Sequence, residues 1–316
     1  MKLKHIKLLK WVSLVTTVFM FFATFGGGVV TRTESGLGCG NEWPLCHGKF
    51  VPAHTIASLI EYSHRIVSST AGLLAVATFV LFWLYSKKRR DLQIFALLTL
   101  IFVIIQGAMG ALAVVFSQSP PVMALHLGFA FISLAGALMT TLGARQEEKF
   151  GGLERFDRLP RVSKGFRNLV WITAIYAYVV VYTGAFVSHT SSAGGCSGFP
   201  LCNGEVVPEL SGGVGIAFMH RAAAFLLVAV VAVLSHYAYR HHKNNREMQV
   251  LGLSAIGLIV LQVLSGVGLM LTMNRPEIYM FVVLAHMTII AVLFGMLCYM
   301  SYVVWRLAKP AGSNKL

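Results

Sequence analysis

Long uninterrupted runs of apolar residues dominate the pattern of this chain, and short polar stretches separate them. Each run is long enough to cross a bilayer core of about 30 Å as a helix of roughly 20 residues. The runs lie at residues 11–31, 58–85, 92–116, 121–143, 168–188, 215–239, 249–272 and 278–304. The pattern therefore predicts an all-α integral membrane protein with eight transmembrane helices.

The composition supports a membrane protein and excludes an ordinary soluble domain. Of the 316 residues, 56% are hydrophobic and only 12% are charged, whereas about 25% are charged in a typical soluble domain. The net charge of +14 would suggest nucleic-acid binding in a soluble chain. In a multispan protein it has to be mapped onto the connections before it is interpreted.

The basic residues fall on one side of the predicted helices. The N-terminus, the segment after helix 8 and the connections 2–3, 4–5 and 6–7 hold 21 of the 26 Lys and Arg residues. The other five are Arg32, Lys49, Arg65, Arg221 and Arg275. Lys and Arg collect in cytoplasmic loops, so we expect both termini to be cytoplasmic. The positive charge is then a topology signal, and no nucleic-acid partner is expected.

The two halves of the chain resemble each other. Val29–Thr33 recurs as Phe186–Thr190, and His64-Arg65 recurs as His220-Arg221. The offset is 156 or 157 residues, and it becomes 160 after the connection between helices 7 and 8. Four helices per repeat predict two parallel four-helix bundles, related by an axis along the membrane normal. We expect an N-terminal half at 1–145, a basic linker at 146–167 and a C-terminal half at 168–316.

Four of the five cysteines lie in equivalent connections of the two halves. Cys39 and Cys46 fall between helices 1 and 2, and Cys196 and Cys202 fall between helices 5 and 6. These connections are on the predicted outer side, where disulfides persist. Two short-loop disulfides are the favoured interpretation. A metal site built from four thiols stays an alternative, although the C-x-x-C spacing usual for structural zinc is absent.

Four histidines recur at helical positions near the predicted outer side. They are His64 and His126 in the first half, and His220 and His286 in the second. A single histidine of this kind can serve only as an interhelical hydrogen-bonding residue. Two repeated pairs instead favour ligation, because facing imidazoles in a bundle hold a metal or a haem. Two neutral ligands suit the axial positions of a flat macrocycle.

One acidic residue distinguishes the halves. Glu61 lies three residues before His64, on the same helix face, whereas Ala217 takes its place before His220. Glu61 is either a first-turn residue favoured by the helix dipole or a group that performs acid–base or charge-stabilising chemistry. Arg65 and Arg221 are candidate partners of porphyrin propionates or interfacial anchors.

Taken together, these residues resemble haem A synthases of the Bacillus type over essentially the whole chain. The motifs are Gly-Cys-x6-Cys, Glu-x-x-His-Arg and Leu-His in the first half, and Cys-x5-Cys, His-Arg and Ala-His in the second. The resemblance implies an enzyme that oxidises the C8 methyl group of haem O to the formyl group of haem A by successive hydroxylations and loss of water. It also implies a place in the cytoplasmic membrane, haem O as substrate, and contacts with lipid, haem O synthase (a farnesyltransferase) and terminal oxidase assembly.

The resemblance assigns a role to each candidate residue. His64 and His126 would face the substrate haem, and Glu61 would be the catalytic carboxylate. His220 and His286 would ligate a haem b that serves electron transfer. The cysteine pairs Cys39–Cys46 and Cys196–Cys202 would form disulfides, the first of them implicated in activity.

Two other classes of protein share some of these features. A b-type cytochrome that only passes electrons would use the histidines but not the unpaired Glu61. A thiol–disulfide oxidoreductase would use the cysteine pairs but not four intramembrane histidines. Identification of the haems bound by the protein separates these classes from a haem-modifying enzyme.

Overall fold

The computed structural model describes residues 3–50, 55–116 and 118–308, and these fold into eight long α-helices. The helices are α1 (Leu3–Arg32), α2 (Ile56–Tyr85), α3 (Arg90–Val115), α4 (Pro120–Phe150), α5 (Lys164–His189), α6 (Gly212–His241), α7 (Arg246–Thr272) and α8 (Pro276–Leu307). All eight are long and apolar enough to cross a bilayer. No strand forms within the described ranges, where only isolated bridges occur. The predicted all-α, eight-span membrane protein is therefore confirmed.

Most helices extend past the apolar runs that predict them. The apolar run of α4 ends at residue 143, but the helix continues through polar residues to Phe150 and stops where Gly151 adopts φ of +72°. Gly151 can take this left-handed conformation without a side-chain clash. Lys2, Lys309 and Lys315, which contribute to the charge map, lie outside the described residues. The cytoplasmic position of the termini stays a prediction.

The chain divides into two compact units. The first contains residues 3–122 and 129–152, and the second contains 123–128 and 153–308. Residues 146–167, the predicted linker, include the end of α4, a 3-10 turn at Leu153–Asp157 and the start of α5.

In the first unit, α1 packs along α2, and α2 packs on α3. Leu9, Phe82 and Leu92 are fully buried in one apolar cluster. Thr16 and Thr78 share a hydrogen bond of 2.7 Å between their hydroxyl oxygens, which joins α1 to α2. Hydroxyls can bond across transmembrane helices in this way because the alternative is an unpaired polar group in an apolar environment.

A buried ion cluster ties the start of α3 to α4. Arg89 is 1% exposed and pairs with Asp91 at 2.8 Å and with Glu147 at 2.7 Å. Two carboxylates around one guanidinium satisfy its charge where water is excluded.

In the second unit, α5 packs on α6, α6 on α7, α7 on α8, and α8 returns to α5. This ring order places α6 and α8 at opposite corners of the bundle. Arg155, in the 3-10 turn, binds both carboxylate oxygens of Glu247 at 2.9 Å. Phe156 is fully buried and lies edge-on to Tyr302 of α8. The segment that leads into α5 is thus packed on the second unit.

Candidate functional site

The first cysteine loop is closed by a disulfide between Cys39 and Cys46. Both residues are fully buried, and Cys46 also pairs through its backbone with Lys49. A sulfur that is bonded to another sulfur is no longer a thiolate ligand. The structure therefore agrees with the disulfide interpretation and disfavours a four-thiol metal site.

The second cysteine loop repeats this arrangement. Cys196 and Cys202 form a disulfide, and Cys202 pairs through its backbone with Glu205. Asn203, at φ of +55°, accepts a hydrogen bond from the Ser197 amide at 2.8 Å. The two loops therefore have the same build in both units.

Glu61 lies in the second turn of α2. The helix begins at Ile56, where the Thr55 side chain accepts a hydrogen bond from the Ser58 amide as its N-cap. The interpretation of Glu61 as a first-turn residue stabilised by the helix dipole is therefore wrong. The sequence pattern placed the helix start at residue 58, and the capping interaction begins the helix earlier.

The Glu61 side chain is 3% exposed and holds the first cysteine loop on α2. Its Oε2 accepts a hydrogen bond of 2.8 Å from the Cys39 amide, and its Oε1 pairs with the guanidinium of Arg65. Arg65 also donates to the carbonyl oxygen of Leu45 at 2.9 Å. The carboxylate and guanidinium together thus bind the two ends of the disulfide loop, at Cys39 and at Leu45.

In the second unit the arginine binds the loop and no carboxylate stands at the aligned position. Ala217 occupies the position of Glu61, and Arg221 donates to the carbonyl oxygens of Cys196 at 2.6 Å and Gly198 at 2.8 Å. The guanidiniums of Arg65 and Arg221 are therefore both engaged with loop carbonyls. Their assignment as propionate partners stays a prediction.

His64 faces the glycines of α1. A Cβ atom built on Gly26 would lie 3.1 Å from His64 Nδ1, and one on Gly27 would lie 3.5 Å from His64 Cε1. Nδ1 of His64 is buried and has no hydrogen-bond partner among the described residues. The glycines therefore provide the space that the imidazole occupies.

His220 occupies the equivalent place between α6 and α5. A Cβ atom on Gly184 would lie 2.9 Å from His220 Cε1, closer than ordinary packing allows. Nδ1 of His220 lies 2.9 Å from Thr183 Oγ1. This ring is thus fixed by a hydroxyl as well as by close packing.

His286 of α8 is held by α7. Its Nδ1 lies 2.8 Å from Ser265 Oγ, and its Nε2 lies 2.9 Å from Gln262 Nε2. Gly266 gives the ring room, since a Cβ atom there would lie 3.5 Å from His286 Cε1. Gln106, the repeat equivalent of Gln262, donates to Ser133 at 3.2 Å instead.

His126 lies in the segment Met123–Gly128 of α4, which groups with the second unit, whereas His64 belongs to the first. The pairing of these two histidines stays a prediction, as does the pairing of His220 with His286.

The donor set fits a haem better than a small metal ion. Within the described ranges, no three His, Cys, Asp or Glu residues converge as a metal site. Structural zinc takes four such ligands, whereas a haem iron takes its remaining bonds from one or two axial side chains. The rings of His64, His220 and His286 are partly buried and pack closely on glycines of the neighbouring helices.

A family model described as "Cytochrome oxidase assembly protein" matches residues 53–298 of the chain. The chain belongs to the COX15-CtaA family.

Curated relatives cover nearly the whole chain. A heme A synthase of Bacillus licheniformis is 39% identical over 303 residues, which cover 95% of this chain and 97% of the relative. That of Symbiobacterium thermophilum is 38% identical over 310 residues, with 97% of each chain covered. That of Halalkalibacterium halodurans is 36% identical and covers 94% of this chain and 97% of its own.

Two residues that contact the histidines were not predicted from the sequence. Thr183 and Ser265 bond to His220 and His286, yet both lie inside apolar runs where a lone hydroxyl carries little signal. The repeat supplies a signal, since Gly26 aligns with Thr183 and Met109 aligns with Ser265.

Proposed function

We propose that the chain is a haem A synthase that oxidises the C8 methyl group of haem O to a formyl group. Membership of the COX15-CtaA family supports a role in haem A biosynthesis, and relatives named heme A synthase support an oxidoreductase that converts haem O into haem A. The finer proposal is that the first unit handles the substrate and that the second holds a haem b for electron transfer.

One observation carries this division. A buried carboxylate, Glu61, lies one helix turn from His64, and an alanine stands at the same place before His220. Oxidation of a methyl to a formyl group releases protons, and a carboxylate can accept them or stabilise developing positive charge. Electron transfer through a bound haem needs no such group. The residue difference therefore supports a reactive first unit and a cofactor-holding second unit.

The remaining side chains have binding roles in the proposal. His220 and His286 would ligate the haem b iron, and His64 and His126 would face the substrate haem. When bound, a haem supplies the redox-active iron. Glu61 would act through Oε1, the oxygen that Arg65 contacts, while Oε2 stays bonded to the Cys39 amide.

We place the protein in the cytoplasmic membrane, with the cysteine loops and histidines toward the outer side. The excess of Lys and Arg in the alternate connections supports this orientation. Haem O synthase and terminal oxidase assembly are the expected functional neighbours, because the first supplies the substrate and the second consumes the product.

The test is the haem content of purified protein made in cells that also make haem O. Wild type should yield haem A and haem b on extraction. Glu61→Gln should yield haem b but little haem A, because the amide can still accept the Cys39 hydrogen bond but cannot take a proton. Glu42→Gln is the matched control, since Glu42 is an exposed carboxylate of the same loop that binds the Gly48 amide at 2.6 Å.

Undiminished haem A in Glu61→Gln would refute the role of the carboxylate. Haem b without any haem A in wild type would identify a b-type cytochrome instead. His286→Ala should abolish the haem b absorbance, and retention of that absorbance would refute the second-unit site.

A further inference from the structure

The hydroxyl of Thr183 contacts one nitrogen of His220 and can thereby select its tautomer. Thr183 Oγ1 lies 2.9 Å from the Val180 carbonyl oxygen and 2.9 Å from His220 Nδ1. A hydroxyl has a single proton, and the carbonyl can only accept it. When that proton goes to the carbonyl, the imidazole donates the second contact, and His220 then carries its proton on Nδ1 and has an unprotonated Nε2.

His286 has the same arrangement of contacts as His220. Ser265 Oγ donates to the Gln262 carbonyl oxygen at 2.9 Å and therefore accepts from His286 Nδ1. On the other side of the ring, the Gln262 side-chain amide lies 2.9 Å from His286 Nε2. With the proton on Nδ1, Nε2 keeps its lone pair and the amide N–H donates to it.

The first unit lacks the hydroxyl at the equivalent position of its helix pair. The repeat aligns Gly26 with Thr183, and His64 Nδ1 is buried without a partner in the part of the chain that the structure describes. The His64 ring is therefore packed against glycine but not oriented by a hydrogen bond. The two units differ in how firmly they fix an imidazole.

We propose that Thr183 and Ser265 are positioning residues that fix His220 and His286 with Nε2 free for iron, so that the second unit retains its haem while the first unit exchanges one. The proposal rests on the proposed function, since it assigns the second unit to a resident haem. A hydrogen bond from Nδ1–H orients a ligating imidazole and makes it a stronger donor. An exchanging site benefits from a weaker, less oriented ligand, because the product must leave after each turnover.

The Gln262 side-chain amide is hydrogen-bonded to His286 Nε2, the atom that would bind iron. The amide therefore has to turn away when the haem enters. Its departure costs one hydrogen bond and leaves the Ser265 contact on Nδ1 intact, so the ring keeps its orientation throughout.

The experiment measures haem loss and reduction potential in full-length protein in detergent. Excess apomyoglobin captures released haem, and its absorbance gives the rate of loss. Thr183→Val and Ser265→Ala should each lose haem b about 10–100-fold faster than wild type, the usual effect of removing an outer partner of a ligand. Their haem b potential should move in the positive direction, because a weaker imidazole donor stabilises ferric iron less.

Two control variants separate positioning from packing. Thr183→Ser keeps the hydroxyl and should restore both the rate and the potential. Thr173→Val removes a buried hydroxyl of the same helix that donates to the Leu169 carbonyl oxygen at 2.7 Å, and it should leave both quantities at their wild-type values.

In wild type, haem O or haem A should leave at least tenfold faster than haem b. Equal rates of loss for the haems would overturn the proposal. So would an unchanged rate and potential in both Thr183→Val and Ser265→Ala. Failure of the wild type to bind any haem would also overturn it. Protein that holds haem b but never makes haem A would refute the proposed function, while the Thr183 and Ser265 measurements on haem b would still test the tautomer assignment.

Discussion

The hydrogen bond from the Cys39 amide to Glu61 should control how easily the first disulfide is reduced. Cys39 and Cys46 are fully buried, so a water-soluble reductant can attack only after the loop opens locally. Opening breaks the hydrogen bond from the Cys39 amide to Glu61 Oε2 and separates Arg65 from the Leu45 carbonyl. Loss of the carboxylate should therefore speed reduction.

The expected change in the reduction rate follows from these contacts. A hydrogen bond to a charged group contributes about 1.5–3 kcal/mol. The ion pair of Glu61 with Arg65 lies within α2 and stays intact when the loop opens, so it adds nothing to this figure. Glu61→Ala should thus lower the opening free energy by about 1.5–3 kcal/mol, which is roughly a 10–100-fold increase in reduction rate. Glu61→Gln keeps a neutral acceptor and should give about a tenfold increase.

The assay is timed reduction with a phosphine, followed by alkylation and mass spectrometry of the peptides that contain each cysteine. The disulfide Cys196–Cys202 is an internal control in the same molecule, because Arg221 holds its loop without a carboxylate. Its reduction rate should not change in Glu61→Ala. An unchanged rate for Cys39–Cys46 would refute the reasoning, and an equal increase for both pairs would show general unfolding instead of local opening.

Two further substitutions test the packing around the fold and the site. Arg89→Met should lower the free energy of unfolding by about 3–5 kcal/mol because it leaves two buried carboxylates without their cation, and the thermal unfolding midpoint in detergent measures this loss. The control Arg90→Met changes an exposed neighbour and should shift the midpoint little. Equal shifts in the two variants would contradict the buried cluster. Gly184→Ala should displace the ring of His220 and cost about 1–3 kcal/mol of haem b affinity through overpacking, measured by haem titration. Gly257→Ala is its control, since a Cβ atom there meets nothing within 4 Å, and equal affinities in the two variants would contradict the close fit.

The eight spans were predictable because hydropathy measures the property that a bilayer selects. The helix ends were not, because a helix continues into water wherever its polar residues find partners. Glu147 illustrates this, since it lies beyond the apolar run of α4 and yet is buried against Arg89. In α4 the apolar run ends at residue 143, whereas the helix continues to Phe150 and ends at Gly151.

The contact between Glu61 and Cys39 was not predictable from sequence, because the Cys39 group is a backbone amide. The spacing to His64 and to Arg65 follows from helix geometry, but the approach of Cys39 depends on the fold of a loop. The hydrogen bond between Thr183 and His220 was not predictable for another reason. Threonines in apolar helices commonly bond to their own backbone, as Thr173 and Thr288 do, so composition does not distinguish the one that reaches a histidine.

The two repeats share some residues of the candidate site and differ in others, and this difference is visible only when they are aligned. Both units keep the disulfide loop, the arginine that binds it and a histidine packed on glycine. The residues that differ at aligned positions are the ones that can give the two units different roles. Glu61 in place of Ala217 adds a charge to the first unit, and Thr183 in place of Gly26 adds a fixed hydrogen bond to the second. A reactive site needs the charge and a retained cofactor needs the fixed ligand, so each unit departs from the common scaffold in the direction that its proposed role requires.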